Sequence, residues 1–126
     1  MAPRRPWIHR ILLDLIIVKK LEAIIKPFKL EEVKEALREL GIEGITVGEV
    51  KGYQPTDGTR SGTGHLSDLH PKFKIEVVIP ESMLDRAVRS VSAAARTGLA
   101  GDGKVFVSSI EQVIRIRTEE TGYAAI

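Results

Sequence analysis

Two halves of this chain spell the same local pattern, and that repeat constrains the fold more than any other feature. Leu21-Glu22-Ala23-Ile24-Ile25-Lys26 reads as a strand, ended by Pro27. In the second half Phe73, Ile75, Val77 and Ile79 alternate with Lys72, Lys74, Glu76 and Val78, a half-buried strand ended by Pro80. Each proline is followed by an amphipathic helix. Over Lys29–Leu40 the residues Leu30, Val33, Leu37 and Leu40 share one face, with Gly41 as a C-terminal stop; over Ser82–Arg96 the inner face is Leu84, Ala87, Val88, Val91 and Ala95. A further strand closes each half, Ile45–Val50 and Lys104–Val107. The order βαββαβ is the α+β, ferredoxin-like split βαβ arrangement, a four-stranded antiparallel sheet with both helices on one face. No third layer remains to cover the other face, which predicts self-association.

The connections carry the candidate chemistry. Residues 52–71 break every period, with Gly52, Gly58, Gly62 and Gly64 among Pro55, Pro71, Thr, Ser and Asp, so a long loop is expected between strands 2 and 3. Between the second helix and the last strand lies Arg96-Thr97-Gly98-Leu99-Ala100-Gly101-Asp102-Gly103-Lys104. A turn this rich in glycine can aim several backbone N–H groups at one anion, with Lys104 adding an ammonium. Downstream, Arg115 and Arg117 alternate in Val113–Arg117, which as a strand puts both guanidiniums on one face about 7 Å apart, a spacing suited to neighbouring phosphates. Asp102 is the acidic group beside the turn that a hydrolase would need; as a turn-shaping residue it needs no substrate.

Composition excludes several classes. The chain has no cysteine, hence neither a disulfide framework nor a thiolate metal site. At 126 residues it is one domain preceded by an extension, residues 1–17, with the domain at 18–126. The net charge of +2 belongs to that extension: without its three arginines and one aspartate, sixteen basic and sixteen acidic residues remain. The basic balance therefore does not indicate nucleic acid. The apolar run Ile11–Val18, interrupted by Asp14, is too short to span a bilayer and lacks a clear secretory cleavage site, so a cytoplasmic protein is expected.

Several segments together resemble the PII nitrogen-regulatory signal proteins. They are Lys19–Leu30, Gly44–Val47 with Glu49–Gly52, Pro71–Glu76, Thr97-Gly98 with Gly101–Lys104, Val113–Thr118, and the closing Ala124-Ala125-Ile126. The resemblance implies a homotrimer whose sheets line the core, adenine nucleotides (ATP, ADP or AMP) bound in the clefts between subunits, and a regulator rather than an enzyme. It also implies that the long loop docks on a membrane transporter or an enzyme. Carried over by position, the Gly101-Asp102-Gly103 backbone and Lys104 hold phosphates, and Arg115 and Arg117 reach them from the neighbouring subunit. Thr46 and Glu76 approach the adenine from that neighbour, Val78 and Thr97 from the first subunit. Gly52 lies where the backbone passes the phosphates, and Lys72 reaches the γ-phosphate or 2-oxoglutarate. The resemblance also puts the family's initiator methionine at Val18, so residues 1–17 are expected to be disordered or not native; the intact mass of the protein from its own host tests this.

The loop departs from the family pattern. The glutamine that helps hold Mg²⁺ and 2-oxoglutarate has no counterpart in register: the stretch reads Tyr53-Gln54-Pro55-Thr56. The tyrosine that the family modifies at the loop tip is also missing. His65, Asp68 and His70 have a spacing compatible with a divalent metal, but a polar loop with two exposed histidines is the favoured reading. Arg60 among glycines could meet a small anion. On these departures the expected effector shifts from 2-oxoglutarate to bicarbonate, with nitrogen sensing and a metal-linked stress role as the alternatives. Tyr53, Gln54, Arg60, His65, Asp68 and His70 are the expected effector and partner residues.

Overall fold

The computed structural model describes residues 15–53 and 69–126, together with Ile8 and Leu12. Six principal elements follow one another: β1 (Val18–Ile25), α1 (Leu30–Glu39), β2 (Thr46–Tyr53), β3 (Leu69–Pro80), α2 (Glu81–Ala95) and β4 (Lys104–Ser109). They form one antiparallel sheet in the order β2-β3-β1-β4. Because β3 lies between β1 and β2, and β1 between β3 and β4, each helix connects two parallel strands across an antiparallel one. This is the expected split βαβ arrangement.

The strand alternation positions the core. Leu21, Ala23 and Ile25 of β1 and Ile75, Val77 and Ile79 of β3 turn to the helices and are buried, where they meet Val33 and Leu37 of α1 and Ala87, Val91 and Ala95 of α2. Burying the leucine, isoleucine and valine side chains contributes roughly 1.5–3 kcal/mol each, and with the three alanines they fix the register of both halves. Gly41 ends α1 at φ +83°, with the Ile42 N–H donating to the Leu37 carbonyl at 3.0 Å and the Gly41 N–H to that of Arg38 at 2.9 Å. That pair of bonds is a Schellman motif. At α2 the Glu81 N–H donates to the Ile17 carbonyl at 2.9 Å.

The opposite face carries charge. Lys20 and Glu22 of β1 lie beside Glu76 and Lys74 of β3, with Lys20 2.9 Å from Glu76, and Lys74 3.1 Å from both Glu22 and Glu76. Phe106 stands opposite Glu22 on β4 and is 50% exposed. Among the described residues no helix or loop covers this face.

Two expectations are corrected. The strands run further into residues 52–71 than the loss of period suggested: Gly52 pairs with His70 and Tyr53 with Leu69, so only residues 54–68 lie between strands. Pro71 is compatible with β3 because it lies beyond the end of β1, which pairs only with residues 73–80, leaving one edge there without a ladder. Second, residues 113–117 do not form a strand. Ile114 makes an isolated bridge to Thr121, and the chain turns over Ile116–Thr118.

Candidate functional site

The turn between α2 and β4 is built around one carboxylate. Arg96 leaves the helix with extended dihedrals, φ −72° and ψ 130°. Asp102 Oδ2 then accepts the backbone N–H groups of Thr97 at 2.9 Å and Gly98 at 3.0 Å, and Oδ1 accepts the Thr97 hydroxyl. The hydroxyl oxygen in turn accepts from the Leu99 N–H at 3.1 Å and from Lys26 Nζ at 3.0 Å, which uses its one donor and two acceptor sites. Lys26 Nζ also lies 3.2 Å from Asp102 Oδ1, its side chain only 15% exposed. The Thr97 hydroxyl above all, with the two N–H groups and Lys26, holds the Asp102 carboxyl well below the usual carboxylate range. Ionised and with both oxygens engaged by the turn, Asp102 has the role of a shaping residue, and nothing in this geometry aims it at a substrate water.

The glycines let the turn close. Gly98, Gly101 and Gly103 all have positive φ. At Gly103 the requirement is absolute: a Cβ would stand 1.7 Å from the Ile24 carbonyl oxygen. At Gly101 the limit comes from two lysines, since a Cβ would lie 3.4 Å from Lys72 Nζ and 3.6 Å from Lys26 Cε. Lys72 Nζ donates to the Gly101 carbonyl at 2.5 Å, and its Cγ lies 3.5 Å from the Cβ position of Gly52. The fold therefore brings Gly52, Lys72, Thr97, Gly101, Asp102 and Gly103 to one end of the sheet, with Lys104 opening β4 beside Ile24. Lys26 was not among the residues expected at this site. It follows the strand whose Ile24 pairs with Lys104, a pairing that only the folded sheet brings about.

The remaining predicted residues lie elsewhere in the chain. Thr46 stands opposite Glu76, and Val78 opposite Lys20, further along β3. β4 carries the chain from Lys104 to Ser109, about 17 Å at the rise of an extended strand. Arg115 and Arg117 follow beyond that far end. Arg115 donates from Nε to the Ala125 carbonyl and from Nη2 to that of Ile126, both at 3.4 Å. One chain does not bring these arginines to its own glycine turn. Alternation misled at this point because the chain turns over Ile116–Thr118 instead of continuing as a strand. Of the loop residues, Tyr53 and His70 belong to β2 and β3, both exposed, whereas Gln54, Arg60, His65 and Asp68 lie outside the described residues. Among the described residues no group of three His, Cys, Asp or Glu side chains is placed to hold a metal ion.

The family model described as nitrogen regulatory protein P-II matches residues 18–120. The chain belongs to the P-II family. It is 56% identical over 112 residues to the nitrogen regulatory protein P-II of Rhodobacter capsulatus, and 54% identical over 112 residues to that of Azospirillum brasilense; each alignment covers 86% of this chain and all of the relative. Among solved structures it is similar to the Arabidopsis thaliana PII bound to citrate, with a TM-score of 0.72 and 34% identity, over 86% of this chain and 88% of that one. The P-II relatives carry the nitrogen-regulatory name, which favours nitrogen regulation over the carbon-linked reading of the loop. No helix among the described residues is long and apolar enough to cross a membrane.

Proposed function

We propose that this protein is a cytoplasmic P-II signal regulator that binds ATP, ADP or AMP in clefts between the subunits of a homotrimer. The observation that carries this reading is the convergence of Lys72, Gly52 and the Gly101–Gly103 backbone at one end of the sheet. Backbone N–H groups in a left-handed turn beside an ammonium suit a polyphosphate. Arg115 and Arg117, whose neighbours Val113 and Gly122 lie beside Ile17 and Val18 at the opposite end of β1 from that turn, complete the pocket from a neighbour. Thr46 and Glu76 meet the adenine from that neighbour, Val78 and Thr97 from the first copy. The charged, uncovered sheet face supports assembly. Nucleotide state then sets the conformation of the segment between β2 and β3, which docks on a transporter or enzyme.

The second effector is 2-oxoglutarate, supported by the nitrogen-regulatory name of the relatives, with Lys72 as its cation. Calorimetric titration of ATP, ADP and AMP, alone and with 2-oxoglutarate or bicarbonate, tests both parts. Tighter ATP binding with 2-oxoglutarate is the expected result; a response to bicarbonate alone would return the protein to the carbon-linked reading. Lys104→Ala and Arg115→Ala should each weaken ATP binding about tenfold or more, the size of a lost charged hydrogen bond, and leave the oligomer intact. Unchanged affinity in both would show that the pocket lies elsewhere.

A further inference from the structure

Two ammonium groups flank Gly101, and their surroundings differ. Lys72 Nζ donates to a neutral carbonyl, that of Gly101 itself, whereas Lys26 Nζ lies between the Asp102 carboxylate and the Thr97 hydroxyl with its side chain largely buried. A turn that receives phosphates has a difficulty at Asp102, because a carboxylate in the turn repels the ligand. Here both carboxylate oxygens face the start of the turn, at Thr97 and Gly98, and the cation beside them arrives from a different element, the end of β1.

We infer that Lys26 is a positioning residue for nucleotide binding: it neutralises Asp102 and pins its carboxylate toward Thr97, so that the Gly101–Lys104 backbone meets an anion without an opposing charge. The inference rests on reading this turn as the phosphate site. It separates the two lysines by task, Lys72 for ligand and Lys26 for the turn. It also makes the residue that follows β1 part of the site's electrostatics. The same lysine stem limits Gly101, since a Cβ there would meet its Cε, so the turn is held from beneath by contact as well as by charge.

The test is calorimetric titration of ATP and ADP onto the full chain and three variants, Lys26→Met, Lys26→Arg and Lys26→Met/Asp102→Asn. Lys26→Met should bind both nucleotides about tenfold or more weakly, as expected for loss of a charged hydrogen-bond partner. Lys26→Arg should recover most of that loss. The double variant, which removes both charges and keeps an acceptor for the Thr97 and Gly98 amides, should bind more tightly than Lys26→Met. Full affinity in Lys26→Met overturns the inference. So does a double variant no tighter than Lys26→Met, because Lys26 would then act only as packing. Melting midpoints identify any variant that fails to fold; the charge-neutral double variant and Lys26→Arg keep the comparison open if Lys26→Met is one. A full chain that binds neither nucleotide defeats the functional reading instead. In that case hydrogen exchange at the Thr97 and Gly98 amides still decides: Lys26→Met should speed it about tenfold, and unchanged exchange overturns the inference.

Discussion

At the scale of single residues, the glycines divide by what surrounds them. Gly41 and Gly103 have similar positive φ, +83° and +96°, yet a Cβ on Gly41 meets open space while one on Gly103 meets the Ile24 carbonyl. Gly41→Ala should therefore cost only the left-handed backbone penalty, about 1–2 kcal/mol. Gly103→Ala adds a clash with an immobile strand and should cost more than about 3 kcal/mol, at the severe end of single substitutions. Urea denaturation of the two variants checks the order; equal losses would mean that β1 and the turn separate easily. Asp102 is also set by its neighbours. Replacing Thr97 by Val removes the hydroxyl that does most to keep that carboxyl acidic, so the Asp102 titration in Thr97→Val should move upward toward the ordinary carboxylate value, as read by NMR.

At the scale of elements, the charged ladder across β1 and β3 makes stability depend on pH at both extremes. Lys20, and then Lys74, hold the Glu76 carboxyl below its ordinary value. The unfolded chain therefore takes up the proton first: this contribution is present above about pH 5 and is lost as pH falls through the depressed value. Lys74 is raised, by Glu22 first and then Glu76; its contribution is present below the ordinary lysine value and is lost as pH rises through the higher folded one. Glu76→Gln should flatten the acid limb of stability between about pH 5 and 3, checked by denaturant midpoints over that range. An unchanged slope would place the acid sensitivity in other carboxylates. Legibility also divides by element. The strands and helices with clean periods, such as Phe73–Ile79 and Leu30–Leu40, were readable because burial imposed their spacing. The ends of β2 and β3 were not, since Gly52, Tyr53 and Pro71 pair through backbone while their side chains follow no apolar pattern. The Arg115–Arg117 alternation was a false strand, because no neighbouring strand supplies a ladder there beyond the single bridge at Ile114. The glycine turn was readable as an anion site, but Lys26 was not, because the bond that gives it a role joins residues 71 positions apart.

At the scale of the whole molecule, the exposed face of the sheet is where copies should meet. Lys20, Glu22, Lys74 and Glu76 neutralise one another within the chain, which lets this face be buried without a net charge. Phe106 supplies its apolar anchor. Sedimentation should give a mass about three times the 13.9 kDa of one chain, the closed symmetry that a pocket shared between neighbours requires. Phe106→Glu should shift the species toward monomer and lose nucleotide binding together with assembly; a monomeric wild type, or a trimeric Phe106→Glu, would place the interface elsewhere. The bond between the Glu81 amide and the Ile17 carbonyl bears on how the protein is prepared. A shortened version beginning at residue 18 has no residue 17, so the opening amide of α2 would face solvent and exchange its deuterium sooner. That single amide reports where a given preparation was cut.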